Sequence, residues 1–167
     1  MAKIQKISPF LWFEKGAEDA AAYYVSVFKH SKILDTVYYP KSAEGVSGFK
    51  KGAVMTVDFE IEEMTFIALN GGKVDGFTFS PATSFAVSCE TQEEIDHLWE
   101  KLSAVPEAEQ CGWCKDKFGI TWQIVPRVLY DKYLSDPDQK KVERVTTAFL
   151  QMKKFDIAKL EKAYKGE

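Results

Sequence analysis

The chain has 167 residues, a formal net charge of −3 and an isoelectric point near 5.5. Its 46% hydrophobic residues can form a sizeable core, and a chain of this length buries about two-thirds of its unfolded surface on folding, so no disulfide bonds are required. The basic residues are scattered rather than clustered, so we do not expect nucleic-acid binding. No apolar run approaches the ~18 residues that span a bilayer, so we do not expect a membrane protein.

The N-terminus and the cysteine count favour the cytoplasm. The first residues lead into a short apolar stretch that Pro9 and Glu14 interrupt, unlike the continuous apolar segment of a signal peptide. Three cysteines are an odd number, which does not suit a disulfide framework. We therefore expect a cytoplasmic protein with reduced thiols.

Hydrophobic periodicity in the first half predicts the order β-α-β-β-β. The predicted elements are a strand over residues 4–13, a helix with an apolar stripe from Ala17 to Phe28, and strands over 33–39, 55–61 and 64–69. Residues 41–51 are polar and contain glycine, which predicts a mobile loop. Asn70-Gly71-Gly72 predicts a turn after the last strand.

The second half repeats the same order. The predicted elements are a strand over 84–89, a helix with the stripe Ile95, Leu98, Trp99 and Leu102, short strands over 107–111 and 112–116, and a strand over 120–126. Thr91 and Glu94 match a capping box at the start of the helix. Asp138 and Asp156 can each cap a helix in the tail.

This pattern predicts one domain over residues 1–167. Repeat 1 covers about 4–72, repeat 2 about 82–126, and a C-terminal helical tail about 127–167. The sequences of the two repeats are not visibly alike, so the duplication is one of architecture.

Several local motifs carry a resemblance to a known family. The most specific is the run from Cys111 to Pro126; the others are Phe10–Phe13, Ala20–Tyr24, Leu69–Gly72 and Ser84–Ser88. Together they resemble the PhnB-like branch of the vicinal oxygen chelate superfamily, which includes glyoxalase I, extradiol dioxygenases and bleomycin-resistance proteins. That branch is sometimes labelled demethylubiquinone methyltransferase-like. The resemblance covers about residues 4–150.

The resemblance implies an α+β fold in which two βαβββ units form curved, half-open mixed sheets around a cleft, followed here by C-terminal helices. Metal enzymes of the family hold a divalent ion at four inward-facing strand positions. Carried over, these positions fall near Pro9, near Ala68, near Ser84 and on Gln123. Because transition metals prefer imidazole, thiolate or carboxylate ligands, we expect no metal site and no cofactor.

The same carry-over suggests a small-molecule site. Polar groups for a ligand would come from Asn70, Ser84 and Gln123, and flat apolar surfaces from Trp12, Trp113 and Trp122. Packing in the core or satisfying neighbouring groups is the alternative for each of them. The resemblance also implies a homodimer, formed through the sheets or through the helical tail.

The Cys111-Gly112-Trp113-Cys114 spacing is that of redox or half-zinc motifs. Redox motifs of this kind begin a helix, whereas this segment predicts strand structure. We therefore interpret these residues as packed or surface thiols.

Two functional classes stay open. The first is a PhnB-like protein that binds a small molecule without a catalytic metal. The second is an enzyme, metal-dependent or metal-free, of the lyase, isomerase or dioxygenase type, acting on a small substrate with vicinal oxygens. The methyltransferase label receives no support from the sequence, because no glycine-rich loop for S-adenosylmethionine follows a strand.

Overall fold

The computed structural model describes residues 5–167. The chain divides into two compact units, one ending at Phe77 and the other running from Thr78 to Glu167. Each unit contains an open mixed sheet, and helices end the chain. The α+β class with C-terminal helices is therefore confirmed, while the single-domain organisation stays a prediction.

The first unit is built on a four-stranded sheet. Its strands are β1 (Phe10–Phe13), β2 (Ser31–Tyr38), β3 (Val54–Ile61) and β4 (Met64–Asn70), in the order β1-β4-β3-β2. β1 runs parallel to β4, and the other neighbours are antiparallel. Helix α1 (Ala17–Val27) joins β1 to β2 and covers one face of this sheet.

The predicted apolar patterns explain how α1 meets the sheet. The stripe residues Ala17, Ala20, Ala21 and Tyr24 are buried. Val57, Phe59 and Ile61 of β3 are buried too, as their period-two alternation predicts. The Tyr24 ring stacks on Phe59 with a centroid distance of 6.1 Å. This face is therefore the core of the first unit.

Two predictions in the first unit need correction. β1 begins at Phe10, and residues 5–9 are not a strand; residue 4 of the predicted strand lies outside the described residues. The Gln5 amide bonds to both backbone groups of Thr65 and so takes the place of a strand neighbour. The predicted loop over 41–51 contains a 3₁₀ turn (Lys41–Ala43) and a short helix α2 (Glu44–Ser47).

The second unit is built on a three-stranded sheet. Its strands are β5 (Phe85–Cys89), β6 (Trp113–Lys115) and β7 (Thr121–Pro126), in the order β5-β7-β6. β5 runs parallel to β7, and β6 is antiparallel to it. Helix α3 (Gln92–Leu102) follows β5 and buries Ile95, Leu98 and Leu102.

The predicted capping box at the start of α3 is present. The Thr91 hydroxyl accepts a hydrogen bond of 3.2 Å from the Glu94 amide. The Glu94 carboxylate accepts one of 2.7 Å from the amide of Glu90, one residue before the cap. Both bonds satisfy amides that have no partner inside the helix.

The predicted strand over residues 107–111 is wrong. A 3₁₀ turn (Pro106–Ala108) occupies its first part, and Pro106 has no N–H to give to a ladder. Only a single bridge joins Gln110 to Trp113. Cys111 and Gly112 then adopt positive φ angles of 50° and 81°, which end any extended run before β6.

The tail forms part of the second unit. Asp138 and Asp156 cap helices α4 (Gln139–Leu150) and α5 (Ile157–Lys165) through their side chains, as predicted. The two helices pack on each other. The amides of Cys111 and Gly112 donate to the carbonyls of Met152 and Lys153 at 2.8 and 2.7 Å, which ties the α4–α5 connection to the start of β6.

One further element follows the second sheet. A π-helical turn over Leu129–Tyr133, not predicted from the sequence, follows β7 and buries Leu129 and Tyr133. None of the helices in residues 5–167 combines the length and the apolar character that a membrane span requires.

Candidate ligand-binding site

The two faces of the second sheet differ in character. Cys114, Trp122 and Ile124 are buried on the face that α3 covers. Because successive residues of a strand point to opposite sides, Trp113, Lys115 and Gln123 belong to the other face. This second face, here called the polar face, consists of Ser84, Ala86, Ser88, Trp113, Lys115, Thr121, Gln123 and Val125. Thr121 and Val125 on this face are buried.

Two of the predicted site residues meet on the polar face. The Gln123 side-chain amide donates a hydrogen bond of 2.8 Å to the Ser84 hydroxyl. Trp113 is the Cα partner of Gln123 across the β6–β7 pair, so the two side chains emerge side by side. All three residues are half-buried. The fold therefore brings a hydroxyl, an amide and an indole together on neighbouring segments.

Trp122 lies on the opposite side of the same sheet. Its ring is buried, with 3% exposed, and its indole N–H donates to the Asp116 carboxylate at 2.7 Å. Phe85 packs against it at a centroid distance of 5.5 Å. The structure thus gives Trp122 packing contacts and separates it from Trp113 by the thickness of the sheet.

Asp116 is an important residue that the sequence analysis did not single out. Its carboxylate is 1% exposed and also accepts from the amides of Phe118 and Ile120 at 2.8 and 3.0 Å. It therefore fixes the turn between β6 and β7 and the indole of Trp122 together. The sequence feature that could have indicated this role is an Asp three residues before Gly119, because Asp side chains accept hydrogen bonds from backbone amides in such turns.

Trp12 is in the first unit, on the sheet face away from α1. Its indole N–H donates to the Gly72 carbonyl at 3.0 Å, and its ring meets Phe77 edge-on at 5.2 Å. A Cβ atom at Gly71 would lie 2.2 Å from the Trp12 ring. The glycine after Asn70 therefore serves close packing of Trp12 as well as the turn.

Asn70 has structural partners on every side. The side chain is 3% exposed; its oxygen accepts from the Ala17 amide at 2.9 Å, and its nitrogen donates to the Val54 carbonyl at 3.0 Å and to the Glu18 carboxylate at 2.7 Å. Gly16, the residue before the helix, offers no side-chain cap. Asn70 of β4 therefore caps α1 from a distant part of the chain.

The positions that the resemblance assigns to metal ligands do not fit a transition metal. Ala68 is fully buried and faces α1, so a position near it on the other face of β4 falls on Ile67 or Leu69, neither of which can bind a metal ion through its side chain. Ser84 and Gln123 are neutral and bonded to each other. Within residues 5–167, no group of three or more His, Cys, Asp or Glu side chains is arranged to hold a metal ion.

The cysteines give no sign of redox chemistry. Cys114 is fully buried in β6, whereas Cys111 lies in a left-handed turn near the Phe149 carbonyl. Burial, together with the nearby negative charges of Asp116 and Glu109, raises the pKa of the Cys114 thiol to about 12. Burial, together with the nearby negative charge of Glu94, raises the pKa of the Cys89 thiol to about 12 as well. Both thiols are therefore protonated at neutral pH.

The sequence matches one family model. The model described as 3-demethylubiquinone-9 3-methyltransferase covers residues 5–125 of this chain. The chain belongs to this PhnB-like family, as the motifs in the sequence predicted. Among curated proteins, none matches the chain significantly.

Solved structures agree with this assignment. A PhnB protein from Bacillus cereus is 34% identical, with a TM-score of 0.60 over 73% of this chain and 99% of that one. A protein from Pseudomonas aeruginosa is 16% identical, with a TM-score of 0.51 over 71% of this chain and 95% of the other. The second likeness is one of fold alone.

Proposed function

We propose that the chain is a binding protein for a small, planar, polar molecule, held at the polar face of the second sheet without a transition metal. The observation that carries this proposal is the pair formed by Gln123 and Ser84 beside Trp113. A small number of convergent polar groups next to an aromatic surface is typical of small-molecule sites.

The chemistry of the pair suits a neutral, directional contact. A serine hydroxyl that accepts from Gln123 still has its own O–H to donate, and the Gln123 oxygen can accept. The indole of Trp113 offers a face on which a flat ring can stack. The ligand contact of Trp12 stays a separate prediction for the first unit, whereas the buried groups of Asn70 and Trp122 would act by supporting their neighbours.

The family description names a methyltransferase, and methyl transfer is the competing function. S-adenosylmethionine carries no phosphate, but its carboxylate is an anion of the kind that free amides at a helix start after a strand can hold. Here the β1–α1 connection leads to an amide of Ala17 that already donates to Asn70, next to the Glu18 carboxylate. This arrangement favours binding elsewhere, so S-adenosylmethionine enters our test as a competing ligand.

We also propose a homodimer, formed along β2. β2 is an edge strand of the first sheet. It exposes four apolar side chains to between 41% and 55%, namely Ile33, Leu34, Val37 and Tyr38. An edge strand offers unpaired backbone groups to another chain, and a two-fold axis would let each copy's apolar edge meet the same residues of its partner.

A cytoplasmic location accompanies this proposal. Cys89, Cys111 and Cys114 are all free thiols, which is the state that a reducing compartment maintains. Labelling of the native protein in intact cells with a membrane-permeant thiol reagent, followed by fractionation, would test it. Recovery of the protein in a secreted fraction would contradict it.

The ligand proposal is tested by nuclear magnetic resonance of the ¹⁵N-labelled protein. Titration with benzamide, a planar ring bearing one neutral polar group, should shift the Gln123 side-chain amide and the Trp113 indole signals together. S-adenosylmethionine should leave both signals in place. Shifts confined to residues near Gly16 on adding S-adenosylmethionine, with none from benzamide, would favour the methyltransferase function instead.

Gln123→Ala provides the matched variant. It should weaken benzamide binding about tenfold, the loss expected when a hydrogen bond worth about 1.4 kcal/mol is removed. Gln151→Ala, a change at an exposed residue after α4, should leave the affinity unchanged. Equal binding by all three proteins would reject the proposed site.

A further inference from the structure

Lys115 differs from the other basic residues of the structure. Within residues 5–167 it is half-buried and its ammonium group makes no ion pair or hydrogen bond. The other half-buried cations have partners: Lys141 lies 3.4 Å from the Asp136 carboxylate, and Arg144 donates to the carbonyls of Ala163 and Tyr164. Most of the remaining lysines are exposed to water.

The location of Lys115 connects it with the candidate site. It follows Trp113 by two residues in β6 and is the Cα partner of Thr121, so it belongs to the polar face. The residues of that face nearest to it in register, Thr121, Trp113 and Gln123, carry no charge. Asp116, the next residue, is turned to the α3 side and binds Trp122.

An ammonium group partly removed from water costs free energy unless an anion or an acceptor compensates it. Ligand sites often contain one charged residue among apolar and neutral polar groups, and a lysine there acts as a compact point charge for an anion. Within residues 5–167 the ammonium of Lys115 makes no ion pair or hydrogen bond, and Trp113 and Gln123 belong to the same sheet face.

We propose that Lys115 is the anion-binding group of this site and that the natural ligand carries a carboxylate attached to its planar part. This inference rests on the proposed function of the polar face. Residues two apart in a strand are separated by about 6.6–6.8 Å. A ring that stacks on Trp113 and bears a carboxylate directly can therefore present that carboxylate toward the adjacent position of Lys115 on the same face.

A matched pair of probes tests the inference. Benzoate and benzamide have nearly the same size and shape and differ in charge, and both are titrated into the ¹⁵N-labelled full chain. Benzoate should bind at least about tenfold more tightly than benzamide, and added salt should reduce this preference. Both probes should shift the Gln123 side-chain amide.

Variants of Lys115 test whether its ammonium group causes the preference for benzoate over benzamide. Lys115→Met keeps most of the side-chain length and removes the charge, so it should abolish the preference for benzoate and leave benzamide binding unchanged. Lys115→Arg should retain the preference. Lys117→Met, a change at the exposed lysine two residues later, should behave like the original protein.

The outcomes separate this inference from the proposed function. If both probes shift Gln123 with equal affinity, or if Lys115→Met keeps the preference for benzoate, the role of Lys115 is rejected while the binding site stands. If neither probe shifts Gln123 or Trp113, both proposals are rejected.

Discussion

The side chains of Gln123 and Ser84 are joined by a hydrogen bond of 2.8 Å that links β7 to the residue before β5. The sequence resemblance predicts metal-ligand positions near Ser84 and on Gln123. In this chain the same positions carry neutral groups that satisfy each other and stay half-buried. The pair can exchange this mutual bond for bonds to a ligand, which is the basis of the proposed function.

Asn70→Ala should destabilise the first unit without affecting the polar face. The substitution leaves the Ala17 amide and the Val54 carbonyl without their buried partner, which should lower the free energy of unfolding by about 2 kcal/mol. Urea denaturation followed by circular dichroism measures this. Gln151→Ala serves as the exposed control, and an equal change in both variants would contradict the capping role.

Asp116→Asn should disrupt the turn between β6 and β7. The new amide nitrogen would face either the Trp122 indole N–H or the amides of Phe118 and Ile120, all of which are donors. We expect a loss of about 2 kcal/mol in the free energy of unfolding and a changed tryptophan fluorescence spectrum. Asp75→Asn, a change at an exposed residue, should leave the free energy of unfolding unchanged. A native-like fluorescence spectrum and stability for Asp116→Asn would refute this account.

Thiol reactivity should follow burial. Cys89 and Cys114, whose pKa values burial raises to about 12, should resist iodoacetamide at pH 8 in the folded protein, and Cys111 should be alkylated first. Peptide mass spectrometry after timed quenching locates the label. Early modification of Cys114 would show that β6 opens readily.

The same pKa values predict a loss of stability at high pH. In the unfolded chain these thiols ionise near the ordinary value of 9, whereas in the folded chain they stay protonated up to about 12. The unfolded state therefore releases protons first as the pH rises. The contribution of both groups is fully present below pH 9 and should be lost between about pH 9 and 12. Cys114→Ala should flatten this part of the pH profile, and an unchanged slope would contradict the assignment.

Light scattering should give a dimer mass at micromolar concentration. Leu34→Lys places a charge in the apolar edge of β2 and should shift the population to monomers, while Val46→Lys, at a side chain that is 93% exposed, should not. A monomer mass that does not change with concentration would reject the homodimer. A dimer that persists in Leu34→Lys would point to the helical tail instead.

Much of the fold follows from local patterns in the sequence. The apolar alternation in β3 and the apolar stripe of α1 could be predicted from the sequence, because each element buries one face against the other. The caps at Thr91, Asp138 and Asp156 were visible because a side chain caps its own helix within a few residues. Short-range chemistry of this kind needs no knowledge of the tertiary structure.

Contacts over long sequence distances could not be predicted in the same way. The cap of α1 comes from Asn70, which is 53 residues away from Ala17. The strand predicted over 107–111 failed because Pro106 and the left-handed turn at Cys111 outweigh a weak alternation. The separation of Trp113 from Trp122, and the bond from Gln123 to Ser84, became apparent only from the register of β5, β6 and β7.

The most direct test of the central claim is native mass spectrometry, with elemental analysis, on the protein purified without added metal or chelator. We expect no stoichiometric transition metal. We also expect that a planar carboxylate added in excess is retained by the original protein and released by Gln123→Ala. A stoichiometric nickel, zinc, iron or manganese ion that is lost in Gln123→Ala would contradict the account and identify a metalloenzyme.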